Sequence, residues 1–152
     1  MLRISWKADI QLHDNKMRSD QKSKFFIETL KVREEHLDSL RHVNNEVYLQ
    51  WVNDIAKSHW AYLTSGKFDQ RYFWVIRRHE IDYLRQALLN DELKIVTWVG
   101  ETDGVWSVRH VQIKRGEELL VDVKTTWILI DKVNNRPVRI SAEVLEALKA
   151  NQ

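Results

Sequence analysis

The sequence predicts an α+β domain: an antiparallel sheet packed on one long helix. Three observations carry this. From about Asn45 to Thr64, Val47, Tyr48, Trp51, Val52, Ile55, His59 and Leu63 recur at spacings of three and four, the period of one helix face. After Gly66 the pattern turns to strands and stays so for more than sixty residues. The resulting order is strand, long helix, then four strands in a row, unlike the alternating strands and helices of a parallel sheet.

Taken in order, residues 1–23 are polar and weakly periodic and read as a loosely ordered arm, with residues 24–152 forming a single domain. Phe25 to Glu34 is the first strand, with Phe26, Leu30 and Val32 on one face and Phe25, Ile27 and Thr29 on the other. Glu35 to Arg41 is a loop that carries Asp38. The helix follows, with Asn44 or Asn45 as its N-cap and Glu46 in the first turn, where a carboxylate suits the helix dipole. Ser65-Gly66 stops it, Gly66 being able to take a left-handed cap. Arg71 to Leu84, Glu92 to Val99, Val105 to Lys114 and Glu118 to Asp131 are the four later strands, with a hairpin turn at Glu101-Thr102-Asp103-Gly104. In the last of them Leu119, Val121, Val123, Thr125, Trp127 and Leu129 share a face. Lys132 to Val138 reads as a loop, and Ser141 caps a short helix through Ala150. One helix covers one face of such a sheet, yet several strands are apolar on both. The second face or an edge is therefore expected to be buried against another copy of the chain.

At 152 residues, 43% apolar and 30% charged, the chain is long enough for a full core and ordinary for a soluble globular protein. A net charge of +2 is too small to argue for nucleic acid. The absence of cysteine excludes disulfides, thiol catalysis and cysteine metal sites. No apolar run approaches the roughly 18 residues of a membrane span, and Met1 to Lys24 lacks the apolar core of a signal peptide, so a cytoplasmic location is the default expectation. Most of the seven tryptophans fall in expected elements, where packing is their simplest use.

The candidate chemistry centres on Asp38-x-x-x-His42-Val43-Asn44-Asn45. A carboxylate just ahead of a helix N-terminus suits attack on a carbonyl: the acid activates water or attacks directly, and free N–H groups of the first turn receive the developing charge. Read alone, Asp38 is more simply a solvated or capping loop acid, His42 a hydrogen-bonded loop residue, and Asn44 and Asn45 helix caps. His59, on the apolar stripe with Trp51 and Ile55, reads as a core histidine. Glu80 and Asp82 lie beside Arg77, Arg78 and His79, on what reads as a solvated or paired strand face. No His-x-x-x-His and no tight His/Asp set argues for a metal, and no Gly-x-Ser-x-Gly argues for a serine hydrolase. No cofactor is called for.

Asp38-x-x-x-His42-Val43-Asn44-Asn45 followed by Tyr48 and Trp51 resembles the acyl-CoA and acyl-carrier-protein (ACP) thioesterases of the hotdog fold, nearest to the 4-hydroxybenzoyl-CoA thioesterase-like branch. Arg78 to Leu84, Asp91-Glu92-Leu93, Thr125 to Asp131 and Asn135-Arg136-Pro137 extend the likeness over roughly residues 25 to 140. The resemblance implies an antiparallel sheet wrapped around one long central helix, dimers that often pair into tetramers, and hydrolysis of an acyl-CoA or acyl-ACP. It makes Asp38 the general base or the nucleophile, with His42 orienting it or contacting the thioester. Main-chain amides around Asn45 to Tyr48 become the oxyanion donors, with Asn44 and the Tyr48 side chain near the substrate. Glu80 would reach the site across the dimer, or Arg77 and Arg78 would bind phosphate. Coenzyme A needs cations near the mouth, and Arg85, Arg109, Lys114, Arg115, Lys132, Arg136 and Arg139 join the candidates. The alternative on the same fold is a non-hydrolytic acyl-thioester-binding protein; a hotdog dehydratase would want a catalytic histidine, for which His42 is the one well-placed residue.

Overall fold

The computed structural model describes residues 24–149, so the expected N-terminal arm lies outside the described residues. Strands β1 (Phe26–Lys31), β2 (Tyr72–Tyr83), β3 (Glu92–Asp103), β4 (Trp106–Arg115), β5 (Glu118–Asp131) and the two-residue β6 (Arg136–Pro137) form one sheet. Its spatial order is β1-β3-β4-β5-β2, with β6 on β5, and every pairing is antiparallel. Helix α1 (Asn45–Thr64) lies against the sheet, and a short helix α2 (Ala142–Lys149) follows the last strand. Among the described residues no helix is long and apolar enough to cross a membrane.

Helix α1 has the expected bounds. The Asn44 side chain accepts a hydrogen bond from the Glu46 amide, which satisfies one of the orphan donors of the first turn. At the other end Ser65 itself takes the left-handed conformation, at φ 49°, and Gly66 follows at φ 78°. Tyr48, Trp51, Val52, Ile55 and Ala56 are buried on the sheet side. Each large apolar side chain fully buried there contributes about 1.5–3 kcal/mol.

Other boundaries differ from expectation. The first strand stops at Lys31, and Glu34–His36 winds into a single 3-10 turn. The β3–β4 hairpin is tighter than expected because β3 continues to Asp103, leaving Gly104 at φ 56° in the turn. Arg136–Pro137 is a strand rather than loop, pairing with Asp131 and Ile130. Leu119 does not share the face of Val121 to Leu129. Leu120 bulges between the pairs Ile113–Val121 and Lys114–Leu119, which reverses the alternation at that point.

A second bulge matters for the surface. Ile76 pairs with Trp127 and Arg78 with Thr126, so Arg77 is the extra residue. It upsets the alternation that would otherwise send two adjacent arginines to opposite faces. Arg77, Arg78 and Glu80 together line one depression with Trp106, Lys124 and Thr126.

Candidate active site

The Asp38 loop is a closed hook. Leu37 and Val43 form an isolated bridge, the Asp38 amide donates to the His42 carbonyl at 2.8 Å, and the Asn44 amide donates to the His36 carbonyl at 2.9 Å. Arg41 sits at φ 65° at the bend, and its guanidinium pairs with the Glu34 carboxylate. That pairing holds the Glu34 carboxyl below the usual range, through the side-chain hydrogen bond first.

Inside the hook the Asp38 carboxylate is divided in two. Oδ1 accepts the Leu40 amide at 2.9 Å and the His42 amide at 3.1 Å. Oδ2 has no donor among the described residues. It is the backbone of His42, not its imidazole, that bonds the acid. One oxygen thus fixes the side chain while the other keeps its lone pairs for a ligand.

The helix start lies directly behind. Glu46 is capped by Asn44, and the Val47 and Tyr48 amides reach the Asn44 carbonyl at 2.9 and 3.4 Å. Of the first-turn donors, Asn45 N–H alone has no acceptor among the described residues, and Asn45 is exposed. The Tyr48 hydroxyl is buried and accepts the Ala87 amide at 3.0 Å. Burial pushes the Tyr48 phenol up.

Asp38, His42, Asn44 and Asn45 thus sit together at one helix end. Arg77, Arg78 and Glu80 do not join them within the chain. They line the depression described above, with Glu80 3.3 Å from Arg78 and 4.0 Å from Lys124. Among the other candidate cations, Arg115 is paired with Asp91 and Glu118, and Lys114 and Arg109 are buried and so cannot serve as surface contacts.

A sequence profile of the acyl-ACP thioesterase N-terminal domain matches residues 23–148. The chain belongs to this family. The thioesterase is 25% identical over 127 residues to the long-chain acyl-CoA thioesterase FadM of Escherichia coli (strain K12), covering 79% of this chain and 94% of FadM. In fold it is similar to the probable thioesterase YbaW from Escherichia coli, at TM-score 0.76 and 24% identity over 82% of this chain and 96% of that one. It is also similar to Slr0204, a 1,4-dihydroxy-2-naphthoyl-CoA thioesterase from Synechocystis, at TM-score 0.69 and 16% identity over 82% and 96% of the two chains. The architecture is the hotdog fold, and the protein is a thioester hydrolase.

Inside this thioesterase lies a polar layer that the motif around Asp38 does not announce. The buried core divides into two apolar clusters. One surrounds Val52, Ile55, Val111 and Val123; the other surrounds Phe68, Tyr72, Leu129 and Leu148. Between them Arg109, only 6% exposed, donates from Nη1 to His59 Nδ1 at 2.7 Å and to Thr97 Oγ1 at 3.1 Å. Nearby His79 Nδ1 lies 2.8 Å from Thr125 Oγ1, and Thr125 is the strand partner of Arg109. Burial lowers the His59 pKa to about 3, with the Arg109 charge adding to it, and burial lowers Arg109 to about 10. At neutral pH the histidine is therefore uncharged and the arginine cationic. A signal was present in the sequence: Arg109 alternates in phase with Ser107, Val111 and Ile113, placing a charge on the face that turns inward.

Arg109, Ser107 and Trp127 line a cavity of about 290 Å³ with Trp60, Tyr72 and Trp74. It adjoins the second half of α1, and its lining includes none of Asp38, His42, Asn44 or Asn45.

Proposed function

We propose that this thioesterase cleaves a long-chain acyl-CoA at the start of α1, with Asp38 driving attack and Asn45 N–H receiving the oxyanion. The observation that carries the reading is the divided carboxylate: Oδ1 held by the Leu40 and His42 amides, Oδ2 without a donor among the described residues. As general base, Oδ2 takes a proton from water while the oxygen attacks the thioester carbon. The carbonyl oxygen gains charge at the helix start, and the tetrahedral intermediate collapses with expulsion of the thiolate. As nucleophile, Oδ2 attacks the same carbon to give a mixed anhydride that water then opens. His42 acts through its backbone, positioning the acid.

The long-chain acyl-CoA preference is supported by the likeness to FadM, which carries that activity in its name. Arg77, Arg78 and Lys124 offer a cationic patch for the phosphates of coenzyme A, and an acidic carrier protein would find the same surface. A homodimer is supported by β2, a twelve-residue strand at the sheet edge on which Val75, Ile76 and Tyr83 are exposed. Pairing of two such edges would bring Glu80 of each copy toward the other.

The test is thiol release across a panel of acyl-CoAs and acyl-ACPs, with wild type and Asp38→Asn side by side and the mass of each measured in solution. Asparagine keeps an oxygen for the Leu40 and His42 amides, so the hook survives while the base is lost. A fall of roughly a hundredfold or more is expected on every substrate, from a dimer or larger assembly. Retention of most of the activity would remove Asp38 from the mechanism, and a monomer would remove the shared edge.

A further inference from the structure

The polar layer and its cavity carry an inference that goes beyond thioester cleavage. Arg109 always donates, so His59 Nδ1 is the acceptor in their contact, and the neutral imidazole carries its proton on Nε2. That Nε2 is buried with no partner among the described residues. Trp127 Nε1, which only donates, is also buried with no partner among them. The Nε and Nη2 groups of Arg109 take no acceptor among the described residues, and no carboxylate there pairs with this guanidinium. The layer thus holds two buried donors without acceptors and a guanidinium that no carboxylate among the described residues pairs with. Buried charges are ordinarily paired, because isolation costs far more than a hydrogen bond returns.

The cavity beside these donors is otherwise built for an apolar ligand. Trp60, Tyr72, Phe73 and Trp74 form its walls, and Lys57, Lys132 and Asp69 are the other charged groups along it. Lys132 is turned onto the Asp69 carbonyl. At about 290 Å³ it is at the small end of the range for ligand sites. Ala56 and Trp60 stand eleven and fifteen residues into α1 from Asn45, roughly 17–23 Å along the helix at ~1.5 Å per residue. That is the reach of a long acyl chain from the proposed site of cleavage.

We propose that this cavity receives an apolar chain ending in a carboxylate, held by Arg109 with Trp127 beside it. The carboxylate has two possible sources. It is the far end of the acyl group, so that the enzyme prefers ω-carboxyacyl thioesters, or it belongs to a free fatty acid bound apart from the substrate.

Two assays on the full chain separate the sources. In the first, kcat/KM is measured for hexadecanedioyl-CoA and hexadecanoyl-CoA; this arm rests on the hydrolytic reading. In the second, calorimetry compares binding of dodecanoate and dodecanol, and needs no turnover. Each is repeated with Arg109→Gln and with Trp127→Phe, the second removing one donor at nearly constant volume. A carboxylate preference of about tenfold or more in either assay is expected, lost in Arg109→Gln and reduced in Trp127→Phe. Preference in the first assay places the substrate's far end in the cavity; preference in the second alone places a separate fatty acid there. No preference in wild type in either assay overturns the proposal, as does a preference that both folded variants keep. If Arg109→Gln fails to fold, the wild-type comparison and Trp127→Phe still decide. Absence of hydrolysis of both thioesters would count against the catalytic reading alone, because the binding assay stands apart from it.

Discussion

Ile55 and His59 stand one turn apart on the same stripe of α1, at 0% and 2% exposure, yet the two halves of the helix that they mark differ in kind. Around Ile55 the packing is dry, with Val52, Val111, Ile113 and Val123 closing over the sheet. Around His59 the sheet answers with Arg109 and Thr97, and Phe26 stacks on the imidazole at 5.0 Å. The dry half secures the end of the helix where Asp38 and Asn45 lie. The polar half adjoins a cavity. The contrast teaches that one amphipathic stripe can carry two kinds of packing: apolar support behind the helix start proposed to meet the thioester, and a buried charge beside the cavity proposed to hold a carboxylate.

The contrast can be broken first from the dry side. Ile55→Ala removes a fully buried side chain from a packed cluster and is expected to lower stability by about 3 kcal/mol in urea denaturation. A loss well under 1 kcal/mol would mean that this half is loosely packed. The polar side is probed by pH. The folded pKa of His59, about 3, lies below its ordinary 6.5, so the unfolded chain binds the extra proton and stability falls as pH drops below 6.5. At ~1.4 kcal/mol per pH unit, the loss due to His59 reaches about 2 kcal/mol by pH 5. His79 and His110, also lowered by burial, act in the same sense. His59→Gln should therefore lose less stability than wild type between pH 7 and 5; equal losses would remove His59 as the source. The smallest effect is at the cap. Asn44→Ala should cost about 1 kcal/mol by releasing the Glu46 amide. It should also slow hydrolysis by disturbing the helix start, and unchanged kinetics would separate cap from catalysis.

How much of this was legible follows from how local each feature is. The bounds of α1 could be read because apolar spacing, Asn44 and Ser65-Gly66 all lie within one segment. The grouping of Asp38, His42, Asn44 and Asn45 could be read because the chain itself places them within a few residues. Bulges left no mark: nothing local distinguishes Leu120 or Arg77, and only pairing with another strand makes them extra residues. The two-residue β6 is too short to show a period. The burial of Arg109 is harder to read, because its partners, His59 and Thr97, come from elements far along the chain. Gly100 illustrates the same limit: a Cβ there would come within 2.8 Å of the His110 ring, which stacks on Trp98 across the hairpin.

Where the thioester meets the protein is tested most directly by the structure of Asp38→Asn with uncleaved dodecanoyl-CoA. The thioester carbonyl oxygen is expected about 3 Å from the Asn45 amide, with the carbonyl carbon facing the side chain at position 38. An acyl-CoA bound with its thioester remote from the start of α1 would contradict it.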